Sequence, residues 1–101
     1  MKLRFTPAAI VDLEEIFNYI ADKLANPDAV RNIISGIYKS CAALKGDPML
    51  GMELRKKIGR DVDGRCLVSG NYLIVYDVDE VVSIIRIFDT RTDYLRVIMD
   101  S

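Results

Sequence analysis

The chain has 101 residues, half of them hydrophobic, and 14 lysines and arginines against 15 acids give it a formal net charge of −1. That is enough chain and apolar content for one compact domain over residues 1–101, and it excludes intrinsic disorder. It also lacks the basic excess of a general nucleic-acid binder, so no sequence-specific DNA binding by this chain alone is expected.

Residues 2–5, Lys-Leu-Arg-Phe, alternate polar and apolar and predict a short strand. Thr6-Pro7 reads as a helix start, threonine as N-cap and proline in the first turn. Ile10, Leu13, Ile16, Phe17, Ile20 and Leu24 then recur at helical spacing, and Asp12, Glu14, Glu15, Asp22 and Lys23 are expected on the wet side. Asn26-Pro27-Asp28 repeats the start signal. The second helix carries Val30, Ile33, Ile34, Ile37, Tyr38, Cys41 and Leu44, and Gly46-Asp47-Pro48 stops it. The short connection predicts an antiparallel helical hairpin. Gly36 sits mid-helix, at an intrinsic cost of ~1 kcal/mol relative to alanine. Close approach to the first helix is the expected reason.

Gly51 is expected at a turn, and Leu54 to Ile58 as a strand or extended edge. Gly59 to Gly64 is a polar turn region. Three strands are predicted at 65–69, 72–78 and 81–88, joined by the hairpin-length turns Gly70-Asn71 and Asp79-Glu80. In the middle run both alternating sets are apolar, Tyr72/Ile74/Tyr76/Val78 and Leu73/Val75. That predicts a central strand buried on both faces, with the helices on one of them. The tail from Asp93 ends in a helical turn. The fold class is α+β: an N-terminal strand, an antiparallel helical hairpin packed on a small, curved, mainly antiparallel sheet, and a short C-terminal helical tail.

Chemistry is narrowed by what the chain lacks. With no histidine, a Ser-His-Asp or Cys-His nucleophile system is excluded, and so is the usual general base near neutral pH. Cys41 and Cys66 are too few for a zinc site and read as buried free thiols in a reducing compartment. No glycine pattern or carboxylate spacing announces a nucleotide or metal, so neither cofactor nor metal is expected. No run nears 18 apolar residues and the N-terminus has no signal-peptide core, so no membrane span and a cytoplasmic location are expected.

What remains is a set of cations with a tyrosine at one edge of the sheet: Arg65, Arg86, Arg91 and Tyr94. A local basic patch, Arg55, Lys56, Lys57, Arg60 and Arg65, faces only Asp61 and Asp63. Such a set can hold a phosphate and stack a base, or meet the acids of a protein partner. A third reading is local, Arg91 paired with Asp89 or Asp93.

In this order, several pieces carry a resemblance over the whole chain. They are Ala9 to Ile20, Leu44 to Pro48 followed by Gly51, Arg65-x-Leu67, Tyr72-Leu-Ile-Val-Tyr76, Ile85-x-Ile87 and Arg91-x-Asp93-Tyr94. Together they resemble the RelE/ParE superfamily of type II toxin–antitoxin toxins. The resemblance implies one of two activities: ribosome-dependent mRNA cleavage in RelE-like members, or poisoning of DNA gyrase by protein binding in ParE-like members. The nuclease branch keeps an arginine where this chain has Leu73 and a lysine where it has Cys66. Only Arg91 and Tyr94 match that set. The ParE-like branch is therefore favoured: a gyrase-binding toxin neutralised by a cognate antitoxin. Arg55, Lys56, Lys57, Arg65, Arg91 and Tyr94 are its contact candidates. The alternatives are an mRNA endonuclease using Arg65, Arg86, Arg91 and Tyr94 on ribosome-bound mRNA, and an inactive scaffold that only binds antitoxin.

Overall fold

In a computed structural model describing residues 1–100, the chain opens with strand β1 (Lys2–Phe5) and the helical hairpin α1 (Pro7–Leu24) and α2 (Pro27–Gly46). A two-residue strand β2 (Met52–Glu53) and a short helix α3 (Leu54–Ile58) follow. The chain then runs through β3 (Arg65–Ser69), β4 (Tyr72–Val78) and β5 (Val81–Asp89) into α4 (Tyr94–Met99). The five strands form one sheet in the order β1-β5-β4-β3-β2, with only the β1–β5 pair parallel.

Both hairpin helices start as their sequences dictate. Thr6 accepts from the Ala9 N–H at 3.1 Å and Asn26 accepts from Ala29 at 3.2 Å, each ahead of a proline. Ala25, left-handed at φ 46°, reverses the chain between them. The hairpin buries Ala9, Leu13, Ile20, Val30, Ile37, Cys41 and Leu44 against Tyr72, Ile74, Tyr76, Val82, Ile84 and Ile87 of the sheet.

β4 is central and buried from Tyr72 to Tyr76, because both of its faces are covered. Its second face, with Leu73 and Val75, forms a smaller core with Leu54, Cys66 and Phe88. Helices thus lie on both faces, not on one: α3 contributes Leu54 and Ile58 to the second core, and α4 contributes Tyr94 and Ile98.

Four other expectations change. Leu54 to Ile58 is a helix, so the lysines Lys56 and Lys57 sit on α3 and not on a strand edge. Leu54 and Ile58 are spaced i,i+4 and dock on one side, and Gly59 at φ 71° closes the turn with its N–H on the Arg55 carbonyl. Five residues are too few for a helical period to declare itself. Gly51 is required by close approach and not by a turn: a Cβ there would run into the Cys66 carbonyl. Gly36 is the reverse, since a Cβ there would meet nothing within 4 Å and no contact with α1 explains it. Finally, Ile10, Phe17, Leu24 and Tyr38 stay about half exposed, whereas Asp12, expected in water, is buried.

Candidate functional site

Asp12 is placed by the start of its helix. At Thr6 the β1 edge ends: the Thr6 N–H donates to the Ile84 carbonyl and its hydroxyl donates to Ile85 at 2.8 Å. Here β5 carries an irregularity, with Val75 opposite Arg86 but Tyr76 opposite Ile84. Beyond it β5 has no β1 partner. Asp12 substitutes for one, accepting from the Ile87 N–H at 2.9 Å and from Arg86 Nε and Nη2 at 2.8 and 3.0 Å. The signal was in the chain: Ala9, Asp12, Leu13, Ile16 and Ile20 fall on one helical stripe, rotated from the expected one. Arg86 also lies 4.9 Å from the Phe88 ring centroid.

Asp89 and Arg91 meet where β5 leaves the sheet. Asp89 accepts from the Arg91 backbone N–H, Nε and Nη2, all at 2.9 Å. The Arg91 guanidinium hydrogen bonds, opposed only in part by burial, hold the Asp89 carboxyl below its ordinary range. Tyr72, directly across from Asp89, is buried. Burial pushes its phenol up and Asp89 adds to that, while Arg91 opposes. Tyr94 stacks on Phe88 with ring centroids 5.9 Å apart.

Two cavities open beside this corner. One, about 500 Å³, is lined by Asp12, Glu15, Arg86, Asp89, Arg91, Asp93 and Tyr94 among others. The second, about 660 Å³, lies between the hairpin and the β3–β4 turn. Tyr19, Tyr72 and Arg91 line both, so they form one groove.

The structure therefore brings Arg86, Arg91 and Tyr94 together and leaves Arg65 out. Arg65 sits opposite Tyr76, while Arg91 follows the Tyr72–Asp89 pair; four residues of β4 separate the two ends, about 13 Å at ~3.3 Å per residue. Arg65 donates to the Gly51 carbonyl at 3.0 Å and to the Tyr76 hydroxyl at 3.3 Å. That hydroxyl also donates to Pro48 at 2.7 Å and accepts from Gly51 at 3.3 Å. The network fastens the loop 48–51 to the sheet. Arg55, Lys56 and Lys57 are exposed on α3, also away from the groove. Arg55 pairs loosely with Asp61 and Asp63 at 3.7 and 3.4 Å, and Lys56 with Glu53 at 3.8 Å, contacts of little energetic weight.

The two positions at which the resemblance sets the nuclease branch apart, Leu73 and Cys66, are core positions here. Leu73 is wholly buried and Cys66 is 1% exposed. Burial raises both thiols, Cys41 to about 11, so both are protonated near neutral pH. Among the described residues no cluster of three or more His, Cys, Asp or Glu is placed to hold a metal, and no helix is long and apolar enough to cross a membrane.

An N-terminal strand, a helical hairpin, a mixed five-stranded sheet and a short C-terminal helix make up the α+β architecture of the RelE/ParE toxins. The family model described as the ParE toxin of the type II toxin–antitoxin system, parDE, matches residues 3–94, and the chain belongs to that family. A structure of the chromosomal ParDE toxin–antitoxin system from P. aeruginosa superposes with a TM-score of 0.72 at 22% identity, over 88% of this chain and 95% of that one. That likeness bears on the fold alone. The RelBE2 toxin–antitoxin complex from Mycobacterium tuberculosis gives a TM-score of 0.57 at 25% identity, covering 87% of this chain and 88% of that one. No curated protein sequence matches the chain.

Proposed function

We propose that this ParE-family toxin arrests growth by binding an essential protein, DNA gyrase in the first place, and that a cognate antitoxin silences it. The observation that carries this reading is the state of the groove arginines. Asp12 and Asp89 each hold one in a two-point ion pair. The cavity they line presents four carboxylates, Asp12, Glu15, Asp89 and Asp93, against two guanidinium groups. In-line attack by a ribose hydroxyl needs a proton acceptor and uncompensated positive charge on the phosphate. This cavity repels a phosphate chain, and neither histidine nor lysine lines it.

A binding role asks less. Arg91 keeps 57% of its side chain in water and Tyr94 is half-buried, so both can meet a protein surface. Arg55, Lys56 and Lys57 offer a second, separate contact patch for a target. An antitoxin partner fits both solved relatives, one a ParDE toxin–antitoxin system and the other a RelBE2 toxin–antitoxin complex. The test is direct. The purified toxin should inhibit gyrase supercoiling and leave ribosome-bound mRNA intact. Codon-specific cleavage in a ribosome-programmed reaction, abolished by Arg91→Ala, would replace this reading with the endonuclease, for which the convergence of Arg86, Arg91 and Tyr94 on one cavity is the supporting geometry.

A further inference from the structure

Helix α1 is apolar along two lines. Ala9, Leu13, Ile16 and Ile20 dock it on the sheet. Ile10, Phe17 and Leu24 form a second line beside the first, and each remains 44–46% exposed. Single apolar residues scattered over a surface need no explanation, but an aligned set bordering a groove does.

Phe17 stands in the groove between α1 and α2 and divides it. Toward the hairpin turn lies an apolar hollow of about 450 Å³, lined mainly by Phe17, Ala21, Ala25, Pro27 and Val30. On the other side of the ring the groove continues past Ile34 to Tyr38, itself half exposed. No sheet residue lines either part, so the groove opens on the face turned away from the sheet. One face therefore carries an exposed aromatic ring and, beside it, an apolar hollow with room for a ring; a cavity of ~150 Å³ is enough for benzene.

A knob and a hole side by side on one face are what a two-fold axis requires, because an isologous interface uses the same patch on both copies. A two-fold rotation sets α1 antiparallel to its equivalent. Each Phe17 then enters the other copy's hollow, and the two rings meet. The same rotation carries Glu14, exposed and in no ion pair among the described residues, toward the hairpin end of the other copy, where Arg31 is exposed. Arg31 is paired only with Asp28, itself exposed. The charges on this face are thus of both signs, so a second copy meets no block of like charge.

The area fits a reversible contact. The 18 residues of α1 span about 27 Å at ~1.5 Å per residue, and two helices packed 8–10 Å apart make a face roughly 20 Å wide. That is on the order of 500 Å² on each copy, or about 1,000 Å² in all, the lower bound for a specific interface.

We propose that the outer face of the hairpin is a self-association surface: two copies pair about a two-fold axis, each placing Phe17 in the hollow formed by Ala21, Ala25 and Val30 of the other. This depends neither on the toxin's target nor on its antitoxin.

The experiment is sedimentation equilibrium of the purified toxin over a concentration series, with thermal unfolding at each concentration. The wild type should pass from monomer to dimer as concentration rises through the micromolar range, and its Tm should rise in step. Ala21→Trp fills the hollow from an exposed position, and Phe17→Ser removes the ring. Each should weaken self-association at least tenfold and make the Tm independent of concentration. Ala21→Trp should keep the wild-type Tm at low concentration, which shows that the fold is intact. A wild type that is monomeric at every concentration would overturn the inference. So would a dimer that Ala21→Trp weakens less than tenfold. A monomeric wild type whose binding of the cognate antitoxin is lost in Ala21→Trp would also overturn it, and would assign the groove to the antitoxin.

Discussion

Arg65 and Arg91 stand at opposite ends of the central strand and look alike in sequence, each at the boundary of a strand. Their acceptors separate them. Arg65 spends its donors on the Gly51 carbonyl and the Tyr76 hydroxyl, groups that belong to a loop and a core residue. Arg91 binds a carboxylate two residues away and keeps most of its side chain in water beside an open groove. One is a fastening of the fold. The other is a local pair, strong enough to orient a guanidinium and too exposed to stabilise much. A cation's role follows from what accepts its protons.

Arg86 is the case that can break this contrast. It lines the groove, as Arg91 does, but its carboxylate also replaces a missing strand partner. Asp12→Ala should therefore behave as a core lesion. It orphans the Ile87 N–H and leaves a guanidinium unpaired. We expect a loss of about 3 kcal/mol, the low end for a broken buried pair, because Arg86 is 34% exposed. Denaturant unfolding measures it. A loss under 1 kcal/mol would return Asp12 and Arg86 to the class of surface pairs.

Tyr76→Phe sharpens the other side. The substitution keeps the ring in the core and deletes one hydroxyl with three partners. It should cost about 1–3 kcal/mol, the range for stranding partly buried groups. The loop 48–51 should then exchange its amides faster, with the groove unaffected.

Acid should act on the groove end first. Asp89 has its carboxyl pKa lowered in the fold, so its contribution to stability is present above the ordinary carboxylate value. It is lost as pH falls through the lower, folded value. The Arg65 network contains no carboxylate and has no such limb. Asp89→Asn should flatten part of the acid limb of the stability–pH curve, and an unchanged curve would contradict the assignment.

The fold was largely legible because its signals are local and redundant. Thr6-Pro7 and Asn26-Pro27 mark helix starts by capping chemistry, and Gly70-Asn71 and Asp79-Glu80 set the hairpins. β4 declared itself as central by being apolar on both faces, and Leu73 is as buried as that pattern requires. Legibility ended where a residue's role is set by distant chain. Asp12 reads as a wet helix position until the end of β1 leaves the Ile87 N–H without a strand partner. Gly36 reads as a close contact until the space beside it is found empty. The helix at Leu54–Ile58 is too short to show a period. Of the cationic set, composition could name the residues, but only the register across β4 shows that Arg65 belongs elsewhere.

The most direct measurement compares Arg65→Ala and Arg91→Ala side by side, by thermal unfolding and by affinity for the antitoxin. Arg65→Ala should lose about 1.5–3 kcal/mol of stability, the range for hydrogen bonds to a charged group. That lowers the Tm by roughly 4–8 °C per kcal/mol in a domain of this size. Arg91→Ala should leave the Tm nearly unchanged, because the pair is solvent-screened, and should weaken antitoxin binding about tenfold or more. If Arg91→Ala unfolds the protein while Arg65→Ala leaves its stability intact, the division between fastening and contact is wrong.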